Sequence, residues 1–311
     1  MSMQIAESSL EELWFGLDNP EQLGIKAAQS LAAATAAAKG LRSFPAAAMR
    51  AMQLLSNPDA SIAEIDKVIG QDPALASQLL RVANSALYRP VTPIGEVRDA
   101  VMRLGMKTVH DIVAGVATMG MFQDKKGVGA GFRRHSVGTA AIMRVLTTEW
   151  GKASRVPSAF LAGLLHDVGK LLSVQVGEIT YDAMPPEALT GADRVHLIER
   201  ETVGYDHAVL GAHVLDHWRM PEIVVRATAF HHEPGSAFAE DGEVGLYVAI
   251  LRMADAIDYC LAASESLDEA FVAQLTSGIE AQYAGFDATI LSAMWPKLAT
   301  ARSELAGQLG A

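Results

Sequence analysis

One cysteine, Cys260, stands in 311 residues, so no internal disulfide can form and the chain fits a reducing compartment. Aromatic residues make up only 6% of it, and alternating β-branched runs are scarce, which removes the usual pattern of a sheet protein. Clusters of Lys and Arg are missing as well. With 25 basic against 36 acidic residues the net charge is −11, and such a chain is a poor partner for a nucleic-acid backbone or an anionic membrane. The N-terminus, Met1 to Glu12, lacks the basic start of a signal peptide. The Ala-rich run from Ala27 to Ala38, between Lys26 and Lys39, falls short of the ~20 apolar residues a membrane span needs. The expectation is a cytoplasmic protein that engages neither nucleic acid nor membrane.

What the chain has instead is helix formers. Half of its residues are hydrophobic, Ala and Leu prominent among them, which favours an all-α fold. Start signals punctuate the chain: Ser61 with Glu64 forms a capping-box pattern, and Asp72-Pro73 sets an N-cap before a proline at the first helical position. Leu75, Leu79, Val82 and Ala83 follow at helical spacing, and Asn84-Ser85 reads as the cap that ends this helix. Gly105 closes another helix, and the polar, glycine-rich segment Gln123 to Gly131 marks the best boundary. The organisation expected is a two-lobed helical bundle. Residues 1–24 form an extension with a turn at Asn19-Pro20, 25–131 an N-terminal lobe, 132–285 a second lobe, and 286–311 a C-terminal helix.

The chemistry sits in the second lobe. Phe160 to Leu172 is an apolar helical run that contains His166 next to Asp167. Burying an ionisable pair costs several kcal/mol, on the order of what a bound metal ion offsets. All nine histidines fall after residue 109. His207 shares a helical face with Leu210, Gly211, Val214 and Trp218, which turns it toward the core, and Gly211 would let a neighbouring helix come close. His213 and His217 lie off that face and read as surface residues. His135 stands at the start of a helix, where the backbone could satisfy it. His231-His232 could be a helix end favoured by the dipole, and Asp255 a buried acid paired with Arg252 one turn back. Taken together, His135, His166, Asp167, His207, His231, His232 and Asp255 are a candidate metal-ligand set. Imidazole and carboxylate without thiolate suit iron, manganese or zinc, as one ion or two.

That order of residues resembles the HD superfamily of metal-dependent phosphohydrolases. The first half is more specific: Phe44-Pro45, Ile69-Gly-Gln-Asp72-Pro73-Ala-Leu75, Leu80-Arg81-Val-Ala-Asn84-Ser85-Ala86 and Ala100-Val-Met-Arg-Leu104-Gly105 resemble the HDOD (HD-related output domain) family. Asp206-His207 through Gly211 to Trp218 and Pro221, ahead of His231-His232, does so too. The similarity covers roughly residues 40 to 260. It implies a bacterial all-α signalling module, with an HD-like second lobe, that works through response regulators or components of cyclic-dinucleotide systems. It also implies that many relatives act without enzymatic activity. Lys170 stands where HD phosphohydrolases carry a phosphate-contacting lysine, so the resemblance gives Lys170 and Asp167 the catalytic roles if the chain is a hydrolase. One departure is clear. The cyclic-di-GMP phosphodiesterase branch has a Gly-Tyr-Pro element after its His-His doublet, whereas this chain continues Glu233-Pro-Gly-Ser-Ala-Phe. The expectation is a regulatory module with a retained metal site, and the alternative is a phosphohydrolase acting on a nucleotide or phosphodiester.

Overall fold

The computed structural model describes residues 24–309 apart from 42–43, 86, 89–90, 123–126, 152–154, 178, 185–194 and 240–241. The turn expected at Asn19-Pro20, in the N-terminal extension, lies outside the described residues. Among the described residues there is no strand, so the all-α expectation holds. The first half comprises α1 (Gly24–Leu41), α2 (Ala46–Leu55), α3 (Ile62–Gly70), α4 (Pro73–Ala83), α5 (Val97–Leu104) and α6 (Met106–Gly120). The second comprises α7 (Val128–Glu149), α8 (Ala159–Leu165), α9 (Val168–Val176), α10 (Val195–Val203), α11 (His207–His217), α12 (Glu222–Phe230) and α13 (Gly235–Ala239). Then follow α14 (Glu243–Ala263), α15 (Glu269–Ser277), α16 (Ile279–Ala284) and α17 (Ala288–Leu309).

The start signals do what their chemistry allows. Ser61 Oγ accepts the Glu64 N–H at 3.2 Å while the Glu64 carboxylate accepts the Ser61 N–H at 3.0 Å. Asp72 Oδ1 accepts from Ala74 and Leu75, opening α4, whose residues Leu75, Leu79, Val82 and Ala83 are all buried. Each such cap contributes about 1 kcal/mol. Asn84 does more than end a helix. Its amide nitrogen donates to the carbonyls of Leu80 and Ile94, both at 2.8 Å, and its Oδ1 accepts the Ile94 N–H at 2.7 Å, so one side chain clamps the chain ten residues on.

A single hydrophobic core runs from Leu31 to Leu305. The long α7 lies at its centre, packed by α8, α14 and α17, and α6 joins the two halves through α8. The C-terminal α17 is therefore part of the wall around α7. Helix α1, grouped by chain order with the N-terminal lobe, lies against α9 and α11.

Two local readings change. Helix α7 starts at Val128, so Gly129 and Gly131 are helical and His135 sits two turns inside the helix rather than opening it. Burial of Gly129 and Phe132 extends the helix beyond what the glycines alone would support. The apolar run around His166 is likewise two helices, not one. Asp167 leaves the helical region (φ −100°, ψ 13°), and α9 restarts at Val168. The stretch Ala159–Val176 has the length and apolar character of a membrane span, yet it is broken at this point and 83% buried within the protein.

Candidate metal centre

Three helix ends and two helix interiors deliver the predicted residues to one place. The C-terminal end of α8 supplies His166 and Asp167, the start of α11 His207, the end of α12 His231 and His232, and the interiors of α7 and α14 His135 and Asp255. All are buried except His232, which is half-buried. The crossing of α9 and α11 is tight: a Cβ on Gly169 would stand 1.9 Å from the His207 carbonyl oxygen, and one on Gly211 would stand 3.2 Å from the Gly169 nitrogen. Gly211 thus permits the close approach its position in the sequence implied. His213 is intermediate in exposure and His217 exposed, as expected of flank residues.

Asp167 is the hub. Its Oδ1 lies 3.0 Å from His207 Nε2 and 3.6 Å from His231 Nε2; its Oδ2 lies 3.5 Å from His166 Nε2 and 3.7 Å from His135 Nε2. Asp255 Oδ1 stands 2.8 Å from His135 Nε2 and 3.7 Å from His166 Nε2. His232 Nε2 comes within 2.9 Å of His207 Nε2. The ligand atoms fall into two sets that share Asp167: His135, His166 and Asp167, and Asp167, His207, His231 and His232, each within 4.8 Å.

Four of the five imidazoles are oriented from behind. His135 Nδ1 bonds Asp258 Oδ2 at 2.8 Å, His166 Nδ1 the Gly163 carbonyl at 2.8 Å, and His231 Nδ1 the Thr228 carbonyl at 2.6 Å. His207 Nδ1 bonds Glu199 Oε2 at 2.6 Å, and the same oxygen accepts the His207 backbone N–H at 2.8 Å. With Nδ1 engaged, each Nε2 faces the centre, which is how metal-binding histidines are held. Four buried atoms of the centre then lack a hydrogen-bond partner among the described residues: His135 Nε2, His166 Nε2, His231 Nε2 and Asp167 Oδ1. The 2.8 Å approach of His135 Nε2 to Asp255 is a charge contact, off the hydrogen-bond direction. Orphaned, convergent and buried, these atoms fit a cation; without one they would carry a desolvation cost of about 1–3 kcal/mol each.

The electrostatics agree. Burial would raise the Asp167 pKa, but His166, Lys170 and His207 outweigh it and hold the carboxyl ionised well below its usual range. Asp255 is lowered likewise, against burial, by His135 and His166. Burial and neighbouring imidazoles push His231 down to about 4 and His232 well below its ordinary value, so both are neutral and able to bind metal. His207 runs the other way. Burial lowers it, but the Glu199 and Asp167 carboxylates prevail and lift it to about 9.

Lys170 lies inside the centre. Its ammonium is 2.6 Å from Asp167 Oδ2 and 5.6 Å from the centre of the Phe132 ring, and the residue is 4% exposed. Arg252 does not pair with Asp255 as one reading had it; it donates to Glu280 at 2.8 Å and to the His231 carbonyl. A cleft of about 280 Å³, walled by α15 and α16, reaches His232, Arg252 and Asp255 from outside.

Several supporting residues escaped the sequence reading. Glu199 is fully buried, and its second oxygen accepts the Tyr181 hydroxyl at 2.6 Å. Asp258, behind His135, is held at 2.6 Å by Arg302 of α17, and Gly138 leaves the room its carboxylate occupies. Tyr259 stacks on His135 at 4.4 Å, and His196 on His232 at 4.2 Å. Asp258 lies three residues after Asp255 on one helical face, which is the clue that could have found it.

Fold and site together define an all-helical protein built around a buried histidine–aspartate centre. The chain belongs to the HDOD family: the HDOD domain model matches residues 41–234. That match stops short of Asp255, Asp258 and Arg302. A crystal structure from Shewanella amazonensis SB2B, provisionally assigned as a phosphohydrolase, is 27% identical with a TM-score of 0.69, covering 89% of this chain and 98% of that one. An HDOD domain protein of unknown function from Geobacter sulfurreducens is 21% identical, with a TM-score of 0.67 over 90% of this chain and 98% of that one, and shows the same fold. A protein of Treponema pallidum (strain Nichols), described only as uncharacterized, is 23% identical over 197 residues, 61% of this chain. The chain spans 37% of that relative's length.

Proposed function

We propose that the chain is a signal-transduction module of the HDOD type, working in the cytoplasm through contacts with other signalling proteins and holding a divalent metal in its centre. Response regulators and components of cyclic-dinucleotide systems are the partner classes this reading calls for. The observation that carries the metal is the convergence of four orphaned, buried ligand atoms on one space, each ring fixed from behind. His135, His166, Asp167 and Asp255 would hold one ion, and Asp167 with His207, His231 and His232 a second; iron, manganese or zinc suits the donors. When bound, such an ion supplies positive charge and can acidify a water. A regulatory role is favoured because Lys170 is spent on Asp167 rather than offered to a phosphate, and Arg252 is held by Glu280 and the His231 carbonyl. A solved Marinobacter aquaeolei VT8 protein of this fold, 22% identical with a TM-score of 0.61, is provisionally assigned as a signal transduction protein.

The phosphohydrolase reading keeps one observation of its own, the cleft that reaches Asp255 and His232. In it Asp167 and Lys170 serve the chemistry, Lys170 turning from Asp167 to the phosphate. One experiment separates the readings. Protein purified without a chelating column is assayed for metal, stripped, reloaded with manganese, iron or zinc, and offered cyclic-di-GMP and bis(p-nitrophenyl) phosphate. We expect bound metal, a lower melting temperature after stripping, and no turnover approaching about 1 s⁻¹. Turnover at or above that rate would replace the regulatory reading with the enzyme. No metal uptake, and no effect of metal on melting, would remove the metal from both.

A further inference from the structure

A second pocket, of about 490 Å³, lies between the two halves of the molecule, is lined by none of the residues of the histidine–aspartate centre, and has His110 in its wall. Its walls come from the end of α2, the start of α6, the segment before α8, and the starts of α12 and α14. Leu55, Met106 and Ile223 make it largely apolar. Pro58, Pro157 and Pro221 stiffen the backbone at three of its edges. The Ser158 N–H is tied to the buried Tyr247 hydroxyl at 3.1 Å, which fixes a further wall. Preformed apolar pockets of this size at an interface between lobes are where small molecules bind.

Its polar groups set the ligand's charge. Asp111 is 3% exposed, and among the described residues the side chain hydrogen-bonded to it is His110, at a long 3.2 Å. Glu243 adds a second carboxylate at the exposed rim. Lys107 also lines the pocket, but it is exposed, and a flexible ammonium in water does not direct what goes deep. Asp111 thus sets a buried carboxylate, an acceptor that a charged donor would suit, in the pocket wall beside the buried Ser158.

The location adds a consequence. Helix α8 runs seven residues from this pocket to His166, ~10 Å at 1.5 Å per residue. Helix α12 runs nine residues from Pro221 to His231, ~14 Å. Helix α14 starts here and carries Asp255. Three of the elements that bring ligands to the histidine centre are thus rooted in the pocket wall.

We propose that this pocket is an effector site for a small organic cation, its ammonium on Asp111 and its apolar body between Met106 and Ile223. The assignment stands apart from the metal reading and is tested without metal. The full chain, stripped of metal, is titrated calorimetrically with tryptamine and with its neutral counterpart tryptophol. Tryptamine should bind at least about tenfold tighter than tryptophol, the difference one charge-assisted hydrogen bond makes. Asp111→Asn should erase that difference, and Ile223→Trp, which fills the pocket, should abolish both. Equal affinity for amine and alcohol, unchanged tryptamine binding in Asp111→Asn, or no binding at about 1 mM would overturn the proposal. Should Asp111→Asn fail to fold, Ile223→Trp decides: tryptamine binding that survives in it places the ligand elsewhere.

Discussion

Replacing Glu199 with Gln is the sharpest probe of how the centre is tuned. One carboxylate oxygen receives both the backbone N–H and the Nδ1–H of His207, at 2.8 and 2.6 Å, and the other receives the Tyr181 hydroxyl at 2.6 Å. Gln can keep its carbonyl oxygen on His207 and turn its amide toward the Tyr181 oxygen, which can accept. Shape and hydrogen bonds survive, and the negative charge is lost. Removing such an outer partner weakens metal binding by about 10–100-fold, or roughly 1.4–2.7 kcal/mol. At free metal near 1,000 times the wild-type Kd, binding stabilises the fold by about 4.1 kcal/mol, and the variant would retain about 2.7 to 1.4. The melting-temperature gap between loaded and stripped protein should therefore shrink by about one-third to two-thirds. Calorimetric melting with and without metal, beside a chelator competition that gives Kd directly, measures both quantities. A Kd within about twofold of wild type would show that Glu199 does not tune the ligand, and the argument from the oriented rings would fail with it.

Two further outcomes follow from the same geometry. Because the carboxylates lift His207 to about 9 against burial, its contribution to the stability of the metal-free protein is full below the unfolded value of ~6.5 and fades as pH rises through 9. Metal must displace that proton, so affinity should climb with pH below 9, by up to about tenfold per unit for this proton alone; a level profile in a chelator competition would refute His207 as a ligand. Asn84→Leu strips both Ile94 backbone groups of their partner and should cost about 1–3 kcal/mol, read as a lower urea midpoint, whereas an unchanged midpoint would mean the clamp is not structural.

The residues that converge on the centre were legible because they violate their surroundings. His166 and Asp167 interrupt a run that is otherwise apolar, and helical phase alone turned His207 inward. Burial makes such residues expensive, so a sequence that keeps them advertises a compensating partner. The break between α8 and α9 was not legible, since it depends on Asp167 leaving the helix where Gly169 admits the His207 carbonyl, and that contact spans 38 residues (207 − 169).

The supporting acids hid for the opposite reason. Glu199 sits in Ile198-Glu-Arg-Glu-Thr202, where flanking charges give it the look of a solvent face. The structure buries it completely because three donors, two from His207 and one from Tyr181, converge on its two oxygens. Asp258 reaches His135 across 123 residues of chain and Arg302 reaches Asp258 across 44, through α14 and α17, and no local periodicity carries such pairings. Sequence pattern reports which face of a helix is buried; it is silent on which helix lies opposite. First contacts to a metal betray themselves by being polar in an apolar setting, whereas the groups behind them are ordinary until tertiary packing assigns their partners. The residues that tune this centre, more than those that would bind its ion, are therefore what the structure adds.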